Sequence, residues 1–277
     1  MTIEEKQPIT EKTKLEILSY SQLNIKMTSE NLILLRQQIR QIKQIDKIQE
    51  ELFDHGLEIS EYENHSRKLA EYSILLGLIS QDLACAYRNA LKAEEDYEHQ
   101  YATKHIVIII NEGFKKIYNY VWKNQKGDLQ TKDRNSSIWK KDIGILVSGY
   151  FPHLKTEYNR ITSELDKFDD FTLKDMKNSR NIFVHYDDTP SIAYDEIYNT
   201  SLETVSKKAI SFMKILLQMF EFSLLLNKEY MPLLEARTEN IFEAHFKMWE
   251  KKKVQYSNNP EVLKMIENAM QNLRKTK

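Results

Sequence analysis

The fold of this chain is decided by residues 69–90, LAEYSILLGLISQDLACAYRNA. Along this stretch apolar side chains alternate at spacings of three and four residues, which is typical of one face of an α-helix. They are Leu69, Tyr72, Leu76, Ile79, Leu83, Ala86 and Ala90. The sequence therefore predicts a long amphipathic helix, and the capping-box spacing of Ser60 and Glu63 predicts where it begins.

A second apolar stripe precedes the first, in a helix predicted over residues 30–54. It follows nearly the same spacing, with one extra three-residue step at Ile45, and comprises Leu32, Leu35, Ile39, Ile42, Ile45, Ile48 and Leu52. A shorter helix is predicted over residues 12–27, and Gly56 is expected to end the longer one. The stripe is compatible with packing in the protein core and with a coiled coil between two chains.

Most of the remaining chain is also predicted to be helical. Glycine and proline are scarce, with 6 and 5 residues, whereas a sheet-rich fold needs more turn residues. We predict helices over 101–123, 136–148, 153–166 and 195–228, a loop over 124–135 and another at Pro190, and two closing helices after Pro232, the last of which begins at Asn259-Pro260. The predicted fold class is therefore all-α: a helical bundle with long amphipathic N-terminal helices and extra C-terminal helices.

Composition limits the possible functions. The formal charge is −1 over 277 residues, so any contact with nucleic acid must use a local patch. The one cysteine, Cys85, rules out an internal disulfide framework and is expected to be a buried structural thiol. The N-terminus lacks a signal pattern, and the longest apolar run, Ile106 to Ile110, is too short to span a bilayer. A cytoplasmic location without membrane contact is expected.

Positive charge is concentrated between Gly113 and Asp142. This segment carries eight basic and three acidic residues, and the aromatic residues Tyr118, Tyr120, Trp122 and Trp139 are interleaved with them. A basic surface with exposed aromatic rings suits single-stranded RNA. The alternative is a solvated helix face whose aromatic residues are buried. Residues 247–277 are similarly basic.

The stretch that carries candidate catalytic side chains is Arg180-Asn181-Ile182-Phe183-Val184-His185. It lies in a helix that is predicted to begin with an N-terminal capping box at Thr172 to Asp175. A guanidinium binds phosphate oxygens in a planar fork, and an imidazole can transfer a proton near neutral pH. At about 100° per residue, Asn181 and His185 lie one turn apart on one helix face, and Arg180 lies about 140° around from His185.

The three apolar residues between Asn181 and His185 cover most of the remaining helix surface, so the helix is expected to be buried. A buried arginine or histidine must be paired or face a pocket. In the alternative interpretation, Arg180 pairs with an acidic neighbour such as Asp187, and His185 is a core histidine.

Other common catalytic patterns are missing from the sequence. It has no phosphate-binding glycine loop, no cysteine pair for zinc and no serine in a nucleophile elbow. His99 and His105 follow an acidic stretch, but two histidines six residues apart do not define a metal site. No metal or other cofactor is expected.

The Arg-Asn-x-x-x-His pattern resembles the R-x4–6-H motif of the HEPN superfamily (higher eukaryote and prokaryote nucleotide-binding domains). The long helices before the motif, and the proline-containing loop and long helix after it, resemble the family layout. The resemblance covers residues 60–228 and implies a HEPN-like bundle there. Residues 1–59 and 229–277 would be N-terminal and C-terminal helical extensions.

The resemblance implies a homodimer that brings two motifs together across one cleft. Many relatives are metal-independent endoribonucleases of toxin–antitoxin or antiphage-defence systems, whereas others are inactive scaffolds. By resemblance, His185 would transfer the proton, Arg180 would neutralise the scissile phosphate, and Asn181 would orient His185 or bind the RNA backbone. RNA and an antitoxin or defence-system protein would be the partners.

Three functional classes therefore remain. The first is an RNA-cleaving enzyme, the second is a non-catalytic interaction protein that uses the long apolar stripes, and the third is a nucleotide-binding module. The placement of Arg180 and His185 discriminates between the first two. A solvent-reaching cleft at a two-fold interface favours the enzyme, and burial within one bundle favours the scaffold.

Overall fold

A computed structural model describes residues 9–54, 65–118, 121–123, 129–131, 134–173, 176–185 and 189–276. These residues form an almost wholly helical protein, as predicted. The α-helices are α1 (Glu11–Asp54), α2 (His65–Ala90), α3 (Asp96–Ile117), α4 (Gly144–Gly149), α5 (Lys155–Phe168), α6 (Met176–His185), α7 (Pro190–Asn199), α8 (Leu202–Gln255) and α9 (Pro260–Thr276). Shorter helical turns cover Arg134–Ser136, Ile138–Ile143, Pro152–Leu154 and Asp169–Leu173.

The core lies where α2 packs against α1, α3 and α8. Six of the seven residues of the α2 stripe are buried, and Ala86 is half-buried. Gly77 permits a close approach at this point, because an added Cβ atom would lie 2.8 Å from Leu32 and 3.3 Å from Phe220. The predicted stripe is thus confirmed as a core-forming face.

The N-terminal residues form one helix where two were predicted. The expected break falls at Thr28 and Ser29, which often interrupt helices. Here Thr28 Oγ1 donates to Asn24 O at 2.8 Å, and Ser29 Oγ donates to Ile25 O at 2.6 Å. Bonding back to the preceding turn is the way in which Ser and Thr are accommodated inside a helix, and the helix continues through both residues. Gly56 and the Ser60–Glu63 box lie outside the described residues.

Helix α1 belongs to the main core from Ile17 to Ile42. Ile17, Leu35 and Ile39 join the same buried cluster as α2 and α8. Farther along, Leu52 forms a smaller cluster with Ile241 and Met248 of α8. The stripe in α1 therefore packs within the chain. Separate extensions at 1–59 and 229–277 stay a prediction, although α8 crosses the proposed boundary at residue 228 without interruption.

Helix α8 is the largest departure from the expected elements. The helix predicted over 195–228 is wrong at both ends: residues 195–199 belong to α7, which begins at Pro190, where a loop was expected, and α8 continues through Pro232 to Gln255. A proline removes one backbone hydrogen bond, but buried Tyr230 and Leu234 flank it, so tertiary packing outweighs that loss.

Two closing helices were predicted after Pro232, but a single separate helix, α9, follows α8. As predicted, Pro260 is its first residue, and Asn259 caps it by accepting from Val262 N at 3.3 Å.

A small hairpin replaces the end of the helix predicted over 101–123. The structure ends α3 at Ile117, where Tyr118 leaves helical geometry with φ −137°. Val121–Lys123 then pairs antiparallel with Leu129–Thr131, in part of the predicted 124–135 loop. Valine and tryptophan favour extended backbone, which explains the strand. At three residues each, both strands satisfy the prediction of none longer than a few residues.

Helices α2 and α8 each contain an 18-residue window apolar enough to cross a membrane. Within these windows, 61% and 67% of the residues are buried inside the bundle. A core helix of a soluble protein meets the same criterion, so length and composition are weak evidence for a membrane span. Cytoplasmic location stays a prediction.

Candidate functional site

The motif helix α6 lies at the surface, packed against α3 and α7. Of its three consecutive apolar residues, Phe183 is buried, Ile182 is half-buried, and Val184 is exposed. Asn181 is also exposed. The expectation of a helix buried nearly all round is therefore wrong. Among the described side chains of α6, Met176 and Phe183 are buried against the bundle, whereas Asn181 and Val184 reach solvent.

Arg180 is anchored to a neighbouring helix. Its Nε donates to Oε1 of Glu112 at 2.6 Å, and its Nη2 lies 2.5 Å from the same oxygen. Its side chain is 17% exposed. One part of the alternative interpretation, an ion pair of Arg180 with an acid, is confirmed, and the acid is Glu112 of α3; its other part, a core His185, stays a prediction. Asp187, the neighbour suggested by the sequence, lies outside the described residues.

Asn181 contacts the same guanidinium. Nη1 of Arg180 donates to Oδ1 of Asn181 at 2.9 Å. The resemblance implied that Asn181 orients His185 or binds the RNA backbone. The described contact is with Arg180, and it leaves the exposed amide on the solvent side of α6.

His185 is the last residue of α6. The backbone places it one helical turn after Asn181, as predicted from their spacing. Its side chain lies outside the described part of the structure. Convergence of Arg180 and His185 on one reacting group therefore stays a prediction.

Glu112 is the residue that the sequence interpretation missed. It lies on α3, and Lys115 on the same helix donates to its Oε1 at 3.2 Å. Partial burial raises the pKa of Glu112, but the hydrogen bonds and positive charges of Lys115 and Arg180 outweigh that effect and hold it below its usual value. Only the i, i+3 spacing of Glu112 and Lys115 gives a signal in the sequence.

Helix α7 also contacts the motif helix. Ser179, the residue before Arg180, donates from its Oγ to a carboxylate oxygen of Glu196 on α7. On the same helix, the rings of Tyr194 and Tyr198 stack with centroids 4.0 Å apart, and both are exposed. Neighbouring helices thus fix α6 through two acid contacts at successive residues.

In the described part of the basic segment between Gly113 and Asp142, two aromatic side chains are buried and some bases are paired with acids, whereas Lys116 and Lys141 are exposed. Trp139 and Tyr118 are fully buried. Arg134 lies 3.2 Å from Asp166 and 3.0 Å from Asp169, and Lys140 also pairs with Asp166. For these residues the alternative of buried aromatics is confirmed. Tyr120 and the side chain of Trp122 lie outside the described residues.

Two further expectations concern thiols and metals. Cys85 is exposed on α2, so the expectation of a buried thiol is wrong: Ala84 points into the core, and Cys85 lies on the outer side of the helix. Within the described part of the chain, no group of three or more His, Cys, Asp or Glu side chains could hold a metal ion.

A cavity in the described structure is separate from the motif. It has a volume of about 980 Å³ between α1 and α2 and is lined among others by Asp46, Phe53, Arg67 and Tyr72. The motif residues do not line it. The candidate site is therefore a surface arrangement on α6 and α3.

Comparison of the chain with family models, curated proteins and solved structures found no match.

Proposed function

We propose that this protein is a metal-independent endoribonuclease of the toxin or antiphage-defence type. The observation that carries the proposal is the exposed polar side of α6, where Arg180 and Asn181 share a hydrogen bond at the protein surface. They occupy the first two positions of the Arg-Asn-x-x-x-His pattern. An all-α fold surrounds the pattern, as the resemblance to HEPN domains requires.

The chemistry needs few groups. The ribose 2′-oxygen attacks the adjacent phosphorus in line, and the bond from phosphorus to the 5′-oxygen breaks. One proton leaves the 2′-hydroxyl and one reaches the departing 5′-oxygen, so the products carry a 2′,3′-cyclic phosphate and a 5′-hydroxyl. His185 is the proton-transfer residue, and Arg180 neutralises the phosphate.

A homodimer fits this chemistry because one motif carries a single acid–base group, whereas the reaction takes up one proton and releases another. Two copies of His185 across a two-fold axis supply both. The exposed apolar side chains of Val184 on α6 and Ile192 on α7 give the motif surface a means of self-association.

The test is cleavage of a single-stranded RNA by purified protein, with and without EDTA, beside a DNA of the same sequence. The proposal expects equal RNA cleavage in both conditions and no cleavage of DNA, which lacks the 2′-oxygen. RNA that stays intact at micromolar protein, or cleavage that EDTA abolishes, contradicts it.

A non-catalytic scaffold is the second candidate. It is favoured by the ion pair of Arg180 with Glu112 inside one chain, because a structural arginine makes the same contact. A scaffold predicts that Arg180→Ala lowers stability and leaves no RNA-dependent property changed. The enzyme predicts loss of cleavage by a folded variant.

A further inference from the structure

Three nitrogen atoms from two cationic side chains lie close to one carboxylate oxygen beside the motif. Oε1 of Glu112 lies 2.6 Å from Nε of Arg180, 2.5 Å from Nη2 of Arg180 and 3.2 Å from Nζ of Lys115. One carboxylate thus holds two cations, and the cluster keeps a formal charge of +1. It joins α3 to α6 across 68 residues of sequence.

The cluster is placed to affect a ligand at the surface. The side chain of Glu112 is 40% exposed, whereas that of Arg180 is 17% exposed. Ion pairs this accessible to solvent contribute little to folding stability. Their geometric effect is larger: Glu112 takes the Nε edge of the guanidinium, and Asn181 takes Nη1. Together they fix the orientation of its plane.

We propose that Glu112 is a positioning residue of the ribonuclease site, which locks the Arg180 guanidinium so that it meets the phosphate in the transition state. This inference rests on the proposed function. Glu112 does not touch the substrate in this account. It acts through Arg180, and its own negative charge weakens the binding of RNA in the ground state.

The proposal predicts opposite effects on binding and on rate. In Glu112→Gln, the amide keeps the shape of the carboxylate but loses the negative charge that pairs with both Arg180 and Lys115. The removed charge no longer repels phosphates, so the variant binds RNA at least as tightly as the wild type. Its guanidinium is no longer fixed, so kcat falls about 10- to 100-fold, the range expected when a reacting group is misplaced by about an ångström.

Binding is measured by fluorescence anisotropy with a 2′-O-methyl RNA, which cannot be cleaved, and kcat with the unmodified RNA. A matched control is Glu157→Gln, which breaks a comparable ion pair with Arg160 on α5 and leaves both quantities unchanged. Coupling is measured in an Arg180→Lys background, where Glu112→Gln lowers kcat by no more than about twofold further.

The outcomes distinguish a positioning role of Glu112 from a structural ion pair. A lower kcat with unweakened binding and unchanged thermal stability supports the positioning role. An unchanged kcat overturns it while the proposed function stands, and so does a parallel loss of stability, binding and rate, which marks a structural ion pair. A wild type that neither binds the 2′-O-methyl RNA nor cleaves RNA overturns both proposals.

Discussion

Arg180 and Glu112 meet across two helices, with Nε of the arginine 2.6 Å from Oε1 of the glutamate. The contact joins the motif helix α6 to α3. Because Asn181 accepts from the same guanidinium, the arginine has a defined orientation before any ligand arrives.

Arg180→Lys should reduce RNA cleavage about 100-fold or more. An ammonium keeps the charge but cannot contact Glu112 and Asn181 through separate planar donors while binding a phosphate. Single-turnover cleavage measures the effect. Arg160→Lys, at an exposed arginine paired with Glu157 and Glu164, should cleave at the wild-type rate. Wild-type activity in Arg180→Lys would remove the arginine from the mechanism.

The protein should be a homodimer at micromolar concentration, and Val184→Glu should shift it to monomer and abolish cleavage. Val184 is exposed next to His185, and a charge there opposes burial in an interface. Light scattering measures the mass. Val254→Glu, at an exposed site near the end of α8, should stay dimeric. A monomeric wild type, or a dimeric Val184→Glu, argues against the composite site.

Glu203 should make the docking of α1 depend on pH. It accepts hydrogen bonds from Thr10 N at 3.1 Å and Thr13 Oγ1 at 2.9 Å, and it pairs with Lys207. Although burial raises the pKa of Glu203, these hydrogen bonds and the Lys207 charge hold it below the usual value.

The unfolded state of Glu203 therefore binds its proton more readily than the folded state. The stabilisation is complete above the ordinary glutamate pKa and is lost as the pH falls through the folded pKa. Glu203→Gln should lower the free energy of unfolding by about 1–2 kcal/mol near pH 6 and by less near pH 3. Urea unfolding at both values, with Glu221→Gln as a surface control, checks this. An equal loss of unfolding free energy at both pH values would refute the predicted pH dependence.

Pro232→Ala should stabilise the protein by roughly 1–3 kcal/mol, because proline inside a helix lacks one donor and crowds the preceding turn. Residue 232 is exposed within α8, so alanine creates no cavity. Chemical denaturation measures the gain against Lys228→Ala, an exposed control in the same helix. A destabilised Pro232→Ala would mean that the fold requires a bend at this point.

Much of the fold could be predicted from the sequence, because apolar spacing reports which helix face is buried. The stripe in α2 is the clearest case, and the Asn259-Pro260 start of α9 is another. Local signals failed where tertiary packing decided the outcome. Thr28 and Ser29 did not break α1, and Pro232 did not end α8, because the surrounding core continues past them.

The candidate site could be predicted only in part. The motif identified Arg180 and Asn181, but not Glu112, since 68 residues separate it from Arg180 and no local pattern joins them. The aromatic residues of the basic segment were ambiguous in sequence. Burial of Trp139 and Tyr118 depends on which side of each helix meets the bundle, and spacing did not resolve that.

The proton-transfer role of His185 is tested by comparing RNA cleavage by His185→Ala and by the wild type in the presence of EDTA. Phosphorus NMR identifies the product ends, and circular dichroism checks the fold. His153→Ala, at a surface histidine, serves as the control. The wild type and the control should yield a cyclic phosphate, and folded His185→Ala should cleave about 10²–10⁴-fold more slowly. Wild-type cleavage by folded His185→Ala, or a His185→Ala variant that fails to fold, would contradict this role.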